Sequence, residues 1–175
     1  MAPGLIDTTL TEEIKNKYVL FWGGMLSNFY PTTFNTEGIT YNCSEQYYMA
    51  MKAKHFGDVG AYFDIMNATQ PHDQKAIGRR VKGFDEEKWH KVSRDIMYDA
   101  CYAKFTQNEK LKEYLLSTKE KILVEASPYD KIWGIGLSES DPQAYFPSLW
   151  RGKNWLGYIL MLVREDISLG VVNGK

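Results

Sequence analysis

Glu45 and Lys52 are the two residues of this chain whose types and spacing most directly suggest chemistry. They lie in Asn42–Phe56, NCSEQYYMAMKAKHF, which reads as one helix of about four turns. Asn42 or Ser44 can cap its start, and Gly57 ends it by tolerating a left-handed conformation. At about 100° per residue, positions 45 and 52 fall almost on one line, roughly 10 Å apart along the axis. Tyr48 and Met49 lie between them on that face. An acid, a flat ring and an amine, the charges too far apart to pair directly, can all address one ligand. The simpler alternative is that Glu45 favours the helix start through the dipole and Lys52 is solvated.

Other candidates are in loops, where binding groups concentrate. Ser27-Asn28-Phe29 places an amide beside an aromatic ring. Trp133-Gly134-Ile135-Gly136 permits close backbone approach to a ligand, although it lacks the third glycine and the acid of a dinucleotide fingerprint. A tight turn and a core Trp explain these loops equally well. Gly152-Lys153-Asn154 precedes a helix and can offer backbone N–H groups to a phosphate; Asn154 also suits an N-cap. Asp130 can take a ribose hydroxyl or simply form a turn, and Arg79-Arg80 can clamp a phosphate or face solvent. Glu125, ending an apolar run, is expected to be buried and paired with an Arg or Trp. His55, His72 and His90 have no metal-ligand spacing, so no metal or cofactor is expected.

The elements that must position these residues follow from pattern. A length of 175 residues suits one domain; 44% hydrophobic and 25% charged residues suit a soluble globule. A net charge of −1 gives no whole-molecule attraction to nucleic acid. Twelve Tyr and five Trp can serve a core or a stacking site. Cys43 and Cys101 suit a reducing, cytoplasmic setting; Cys43, at a helix start, can be somewhat acidified but has no partner nearby in sequence and reads as structural. No secretory signal and no apolar stretch of membrane-spanning length is visible.

In chain order, residues 1–16 read as a loose arm or short helix, and Tyr18–Trp22 as a buried strand ended by Gly23-Gly24. Phe34, Ile39 and Tyr41 flank the hairpin signal Glu37-Gly38. Asp58 caps a helix through Met66, and Pro71 begins one running to about Lys82. Asp85 caps the longest helix, Glu86 to about Thr106, with Trp89, Val92, Ile96, Ala100 and Ala103 as its buried stripe. A helix from Asn108 to about Ser117, a strand at Ile122–Glu125, a surface loop or flexible lid at Ser138–Ser148, and a helix from Trp155 to Ile167 complete the chain.

Several motifs resemble the NADAR superfamily, also called YbiA-like. They are Ser27-Asn28-Phe29, Ser44–Tyr48 with Ala50–Ala53, Gly78-Arg79-Arg80, Lys104-Phe105, Leu115–Thr118, Val124–Pro128, Asp130–Gly136, Trp150–Gly157 and Leu160–Arg164. Their order and spacing together are specific, and they run over residues 18–167, leaving an arm at 1–17 and a tail at 168–175. The resemblance implies a single compact, mainly helical α+β domain with a few short strands. It also implies N-glycosidase chemistry on ribose-linked substrates. One branch cleaves the first intermediates of riboflavin synthesis, releasing ribose 5-phosphate; another removes ADP-ribose from guanine in nucleic acid. Some members carry an acid within Trp-Gly-x-Gly where this chain has Ile135, so any role of that acid falls to another residue, with Asp130 as the candidate.

On that resemblance, Glu45 stabilises the ribosyl cation or activates water, and Lys52 serves the leaving base or attacks the opened sugar as a Schiff-base nucleophile. Asn28 and Asp130 are expected at ribose hydroxyls; Phe29, Tyr48 and Trp133 stack on the base; Gly134 and Asn154, with Arg80 or Lys153, hold phosphate. The expected partners are a small ribosylated or ADP-ribosylated substrate and, as an alternative, ADP-ribosylated nucleic acid, with no membrane. Two other function classes stay open. One is a non-catalytic module binding ADP-ribose or a nucleotide, and the other is an interaction domain using the loop near Ser138.

Overall fold

The computed structural model describes residues 7–172. Residues 1–6 of the expected arm and 173–175 of the expected tail lie outside the described residues. The architecture is α+β and mainly helical. Helices are α1 (Glu12–Asn16), α2 (Ser44–His55), α3 (Val59–Asn67), α4 (Pro71–Gly78), α5 (Glu86–Thr106), α6 (Glu109–Ser117) and α7 (Trp155–Ser168). Strands are β1 (Tyr18–Phe21), β2 (Phe34–Thr36), β3 (Ile39–Tyr41) and β4 (Ile122–Glu125). No helix among the described residues is long and apolar enough to cross a membrane.

Two compact units divide the chain. One takes the described chain up to Trp22 with Thr118–Tyr158; the other takes Gly23–Ser117 with the chain from Ile159 onward.

In the first unit β1 and β4 pair in parallel, Tyr18 against Ile122 through Phe21 against Glu125. Val124, Ala126, Ile135, Leu137 and Ala144 are buried together, with Tyr18, Leu20, Ile122 and Trp150 packed around them. The segment expected as a surface loop or flexible lid lies largely at the surface but is tied into this packing at one residue. It forms short 3-10 turns at Pro142–Tyr145 and Pro147–Leu149, Ala144 is buried, and the Trp150 indole donates to the Ala144 carbonyl at 2.8 Å. Trp22, expected inside a buried strand, lies beyond β1 and is 53% exposed.

In the second unit β2 and β3 form the expected hairpin, antiparallel with Phe34 opposite Tyr41. Its turn residues Glu37 and Gly38 both have positive φ, 53° and 81°, which suits a two-residue turn between twisted strands. Phe34, Tyr41 and Tyr47 form an aromatic cluster, their ring centres 5.0–6.2 Å apart, that seats the hairpin near α2. Helix α2 also packs against α3, α4 and α5.

Helix α5 keeps the expected bounds, with the Asp85 carboxylate accepting from Lys88 N at 3.0 Å. Its buried stripe is rotated from the expected one. Trp89, Ala100 and Ala103 are buried as expected, joined by Ser93, Met97, Cys101 and Lys104, while Val92 and Ile96 are only half-buried. Helix α4 ends at Gly78 rather than near Lys82, before Arg79 and Arg80.

Candidate active site

Helix α2 starts at neither expected cap. Cys43 is the N-cap, its sulfur accepting from Gln46 N at 3.4 Å, while Gln46 Oε1 accepts from Asn42 N at 2.8 Å. These reciprocal bonds satisfy donors a helix start leaves open. Burial pushes the Cys43 thiol up to about 11, so it is not acidified. Cys101 is likewise pushed up to about 12 by burial.

The fold encloses α2 on nearly all sides, with Ser44–Ala50, Lys52 and Ala53 buried. Lys52 is 8% exposed, so it is not solvated as the simpler alternative had it; Glu45, 5% exposed, sits in the first turn of α2, where a carboxylate also suits the helix dipole. Burial holds the Lys52 ammonium below its usual 10.5; the Glu45 carboxylate pushes it back up, and the Arg79 guanidinium lowers it further. The acid and the amine therefore feel each other's charge across α2. Enclosing charge costs free energy, and such groups concentrate where chemistry needs them. Lys52 Nζ lies 4.3 Å from the ring centre of Phe84, which favours an ammonium electrostatically.

Close packing brings Arg79 into range. A Cβ on Gly78 would run into the Met49 side chain, so α4 approaches α2 at a glycine. Arg79 and Arg80 are both exposed; of the two, the Arg79 guanidinium adds a small lowering to the Lys52 ammonium, while Arg80 was expected, with Lys153 as its alternative, at a phosphate.

The 27–30 turn joins this face directly. The Asn28 carbonyl accepts from Glu45 N at 3.1 Å, so the two expected residues are adjacent. Asn28 Oδ1 and Ser44 Oγ are buried without a hydrogen-bond partner. Buried polar atoms are nearly always satisfied, so these two, beside Glu45, stand out among the described residues. Phe29 is exposed, with Lys75 Nζ 5.6 Å from its ring centre. Tyr48 is not an open stacking surface. Its ring is buried against Trp89 at 5.1 Å, and its hydroxyl accepts from the Trp89 indole at 3.0 Å.

The remaining expected residues gather in the first unit, mostly as architecture. Ser127 Oγ accepts from Tyr129 N and Asp130 N, and Asp130 Oδ1 accepts from Ile132 N and Trp133 N at 2.9 and 2.8 Å. Gly134 is required by protein rather than by a ligand: a Cβ there would meet Asp130 O, Ser127 Cβ and Glu125 O within 3.0 Å. Trp133 packs edge-on to Trp155, and Lys153 Nζ lies 4.9 Å above the Trp155 ring. Ile135 is fully buried among the apolar residues of the core. Glu125 is half-buried, and its backbone N–H is held by Asn154.

Asn154 is wholly buried with a φ of 53°; its Oδ1 accepts from Glu125 N and its Nδ2 donates to Leu123 O, both at 3.0 Å. Both ends of its amide are spent on β4 rather than open to a phosphate. Asn154→Ala is therefore expected to destabilise the protein by about 2–4 kcal/mol, leaving two backbone groups of β4 unmet. Thermal unfolding checks this; an unchanged Tm with weakened substrate binding would restore the phosphate role.

Phe84 and Lys75 were not among the residues expected at the site, and Arg79 and Ser44 were expected only as a possible phosphate clamp and a helix cap. Neither Phe84 nor Lys75 lies in a motif that could have marked it. Among the described residues no group of three or more His, Cys, Asp or Glu side chains is gathered to hold a metal ion.

The family model of the NADAR domain matches residues 20–168. This chain belongs to the NADAR family. Protein irg-1 of Caenorhabditis elegans is 38% identical to this NADAR chain, covering 90% of the chain and 83% of that protein. N-glycosidase R617 of Acanthamoeba polyphaga mimivirus is 39% identical, covering 86% and 96%. Riboflavin biosynthesis protein VVA0006 of Vibrio vulnificus is 31% identical, covering 82% of the chain and 35% of that longer protein. The solved structure of E. coli YbiA superposes with a TM-score of 0.73 at 28% identity, covering 91% of this NADAR chain and 90% of YbiA. The chain is a hydrolase of the N-glycosidase class.

Proposed function

We propose that the chain hydrolyses the N-glycosidic bond of a phosphoribosylamine, 5-amino-6-(5-phosphoribosylamino)uracil or a close relative, releasing ribose 5-phosphate. The observation that carries this reading is the enclosed acid and amine on one face of α2, with the Lys52 ammonium held below its usual range. Similarity to a riboflavin biosynthesis protein favours the substrate.

Breaking a ribosyl C–N bond develops positive charge at the anomeric carbon and negative charge at the leaving nitrogen. The Glu45 carboxylate can stabilise the first or take a proton from attacking water. An ammonium with a lowered pKa gives up its proton more readily, so Lys52 can protonate the leaving nitrogen. The same shift leaves more free amine, which can attack the opened sugar as a Schiff-base nucleophile. Asn28 Oδ1, an unmet acceptor beside Glu45, suits a ribose hydroxyl donor. Phe29, with Lys75 near its ring, suits the base. We place the enzyme in the cytoplasm, in keeping with its free, buried thiols at Cys43 and Cys101.

The test is a direct comparison of two releases by the same preparation: ribose 5-phosphate from the uracil riboside, and ADP-ribose from ADP-ribosylated guanine in a DNA strand. Higher kcat/KM on the uracil riboside is expected. Preference for the guanine adduct would transfer the chemistry to nucleic acid. Cleavage of neither, with thermal stabilisation by ADP-ribose, would identify a binding module instead.

A further inference from the structure

We infer that Lys104 is a positioning residue for this reaction: its buried ammonium clamps the Ser27–Tyr30 turn and so fixes Asn28 against the start of α2. The inference rests on the N-glycosidase reading of the Glu45 face.

Lys104 occupies a position where helical periodicity calls for an apolar side chain. The buried stripe of α5 runs Trp89, Ser93, Met97, Ala100, Lys104, and Lys104 is 1% exposed. Lysine is almost never fully enclosed unless something holds it, because removing an ammonium from water is costly. Here Nζ donates to the Ser27 carbonyl at 2.8 Å and lies 4.9 Å and 5.7 Å from the ring centres of Phe105 and Tyr30. A Met or Leu would fill the stripe without the cost, but neither could bind that carbonyl.

The carbonyl it holds is the pivot of the turn. Ser27 O also accepts from Tyr30 N at 3.2 Å, and Ser27 Oγ accepts from Phe29 N at 3.1 Å. The next carbonyl, Asn28 O, accepts from Glu45 N. One chain of hydrogen bonds thus runs from the last turn of α5, through the turn, to the proposed catalytic acid. The Lys104 backbone carbonyl is itself tied down, accepting from Asn108 Nδ2 at 2.9 Å, and the same Nδ2 donates to Thr33 O. The buried, unmet Asn28 Oδ1 is what this framework presents. A ligand acceptor with no bond of its own keeps its direction only if its backbone is fixed, and Lys104 supplies the charged donor that fixes it.

Lys104→Met removes the clamp while keeping the stripe filled. It is expected to fold with a Tm close to that of the parent and to lose about a hundredfold in kcat/KM, as misplacement of a binding group does. In the Asn28→Ala background the same change should cost little more, because Lys104 acts through Asn28. Lys104→Arg, which keeps a cation and donors, should recover a large part of the loss. Amide exchange gives a readout independent of activity. The Tyr30 and Glu45 N–H groups should exchange roughly tenfold faster in Lys104→Met, with Ala100 and Cys101 unchanged. Full multiplicative loss in the double variant, or unchanged exchange at Tyr30 and Glu45, overturns the inference. If Lys104→Met does not fold, the parent decides it. Slow exchange of the Lys104 ζ-protons supports the clamp, and exchange as fast as at exposed lysines contradicts it. Failure of the parent to cleave any N-riboside would remove the glycosidase reading, while the exchange measurements still decide the clamp.

Discussion

Glu45→Gln is expected to reduce turnover by about a thousandfold, the upper range for a group that moves protons or stabilises charge in a transition state. The fold should survive. Glutamine has nearly the same shape, and the contact from Glu45 to Asn28 is made by the backbone N–H, which the substitution leaves in place. The negative charge is lost, and with it both the stabilisation of the ribosyl cation and the support that the carboxylate gives to the Lys52 ammonium. Release of ribose 5-phosphate, followed alongside circular dichroism and Tm, checks the prediction. A folded Glu45→Gln protein with near-parent activity would remove Glu45 from the chemistry.

Lys52→Met is expected to abolish activity while making the protein more stable at neutral pH. The sign follows from proton counts. Burial lowers the folded-state pKa of Lys52 below the usual 10.5 of an unfolded chain. Between those two values the unfolded chain holds one proton more than the folded one, so stability rises with pH through that window. Below the window the folded protein carries a desolvated ammonium, and Lys52 lowers stability there. Methionine removes that cost, so the variant should show a higher Tm at neutral pH and a flatter dependence as pH approaches 10.5. Urea unfolding across a pH series measures it. In the parent, activity against pH separates the two routes for Lys52. Protonation of the leaving nitrogen requires the ammonium, so turnover would fall as pH rises through the lowered pKa. Attack by the free amine gives the opposite slope, and borohydride would then trap a sugar on Lys52.

Parts of this arrangement were legible because single residues announce them. Asp85 marks the start of α5 by capping it, and Glu37-Gly38 marks the hairpin by its positive φ. The Glu45–Lys52 stripe follows from helical periodicity alone, and both side chains are buried on α2. The buried face of α5 was less legible because Ser93 and Lys104 are polar, and a stripe read from apolar residues drifts to Val92 and Ile96. Tyr48 lies on the proposed face by spacing, yet its ring serves the packing of α2 on Trp89; periodicity gives direction but not neighbours. Arg79 and Arg80 are indistinguishable in sequence, and only the fold shows that the Arg79 guanidinium is the one acting on Lys52. The polar stretch near Ser138 read as a surface loop or flexible lid; it is largely at the surface, and what its prolines and charges hide is one buried residue, Ala144, and the Trp150 indole that anchors it.

The most direct test of the shared acid and amine is a titration of the Lys52 side chain by NMR, in the parent and in Glu45→Gln. In the parent, the Lys52 signals should titrate below the usual 10.5. In Glu45→Gln they should titrate lower still, because the carboxylate that supports the ammonium is gone. A Lys52 that titrates at its ordinary value, or that does not respond to the loss of Glu45, would contradict a pair acting on one bond.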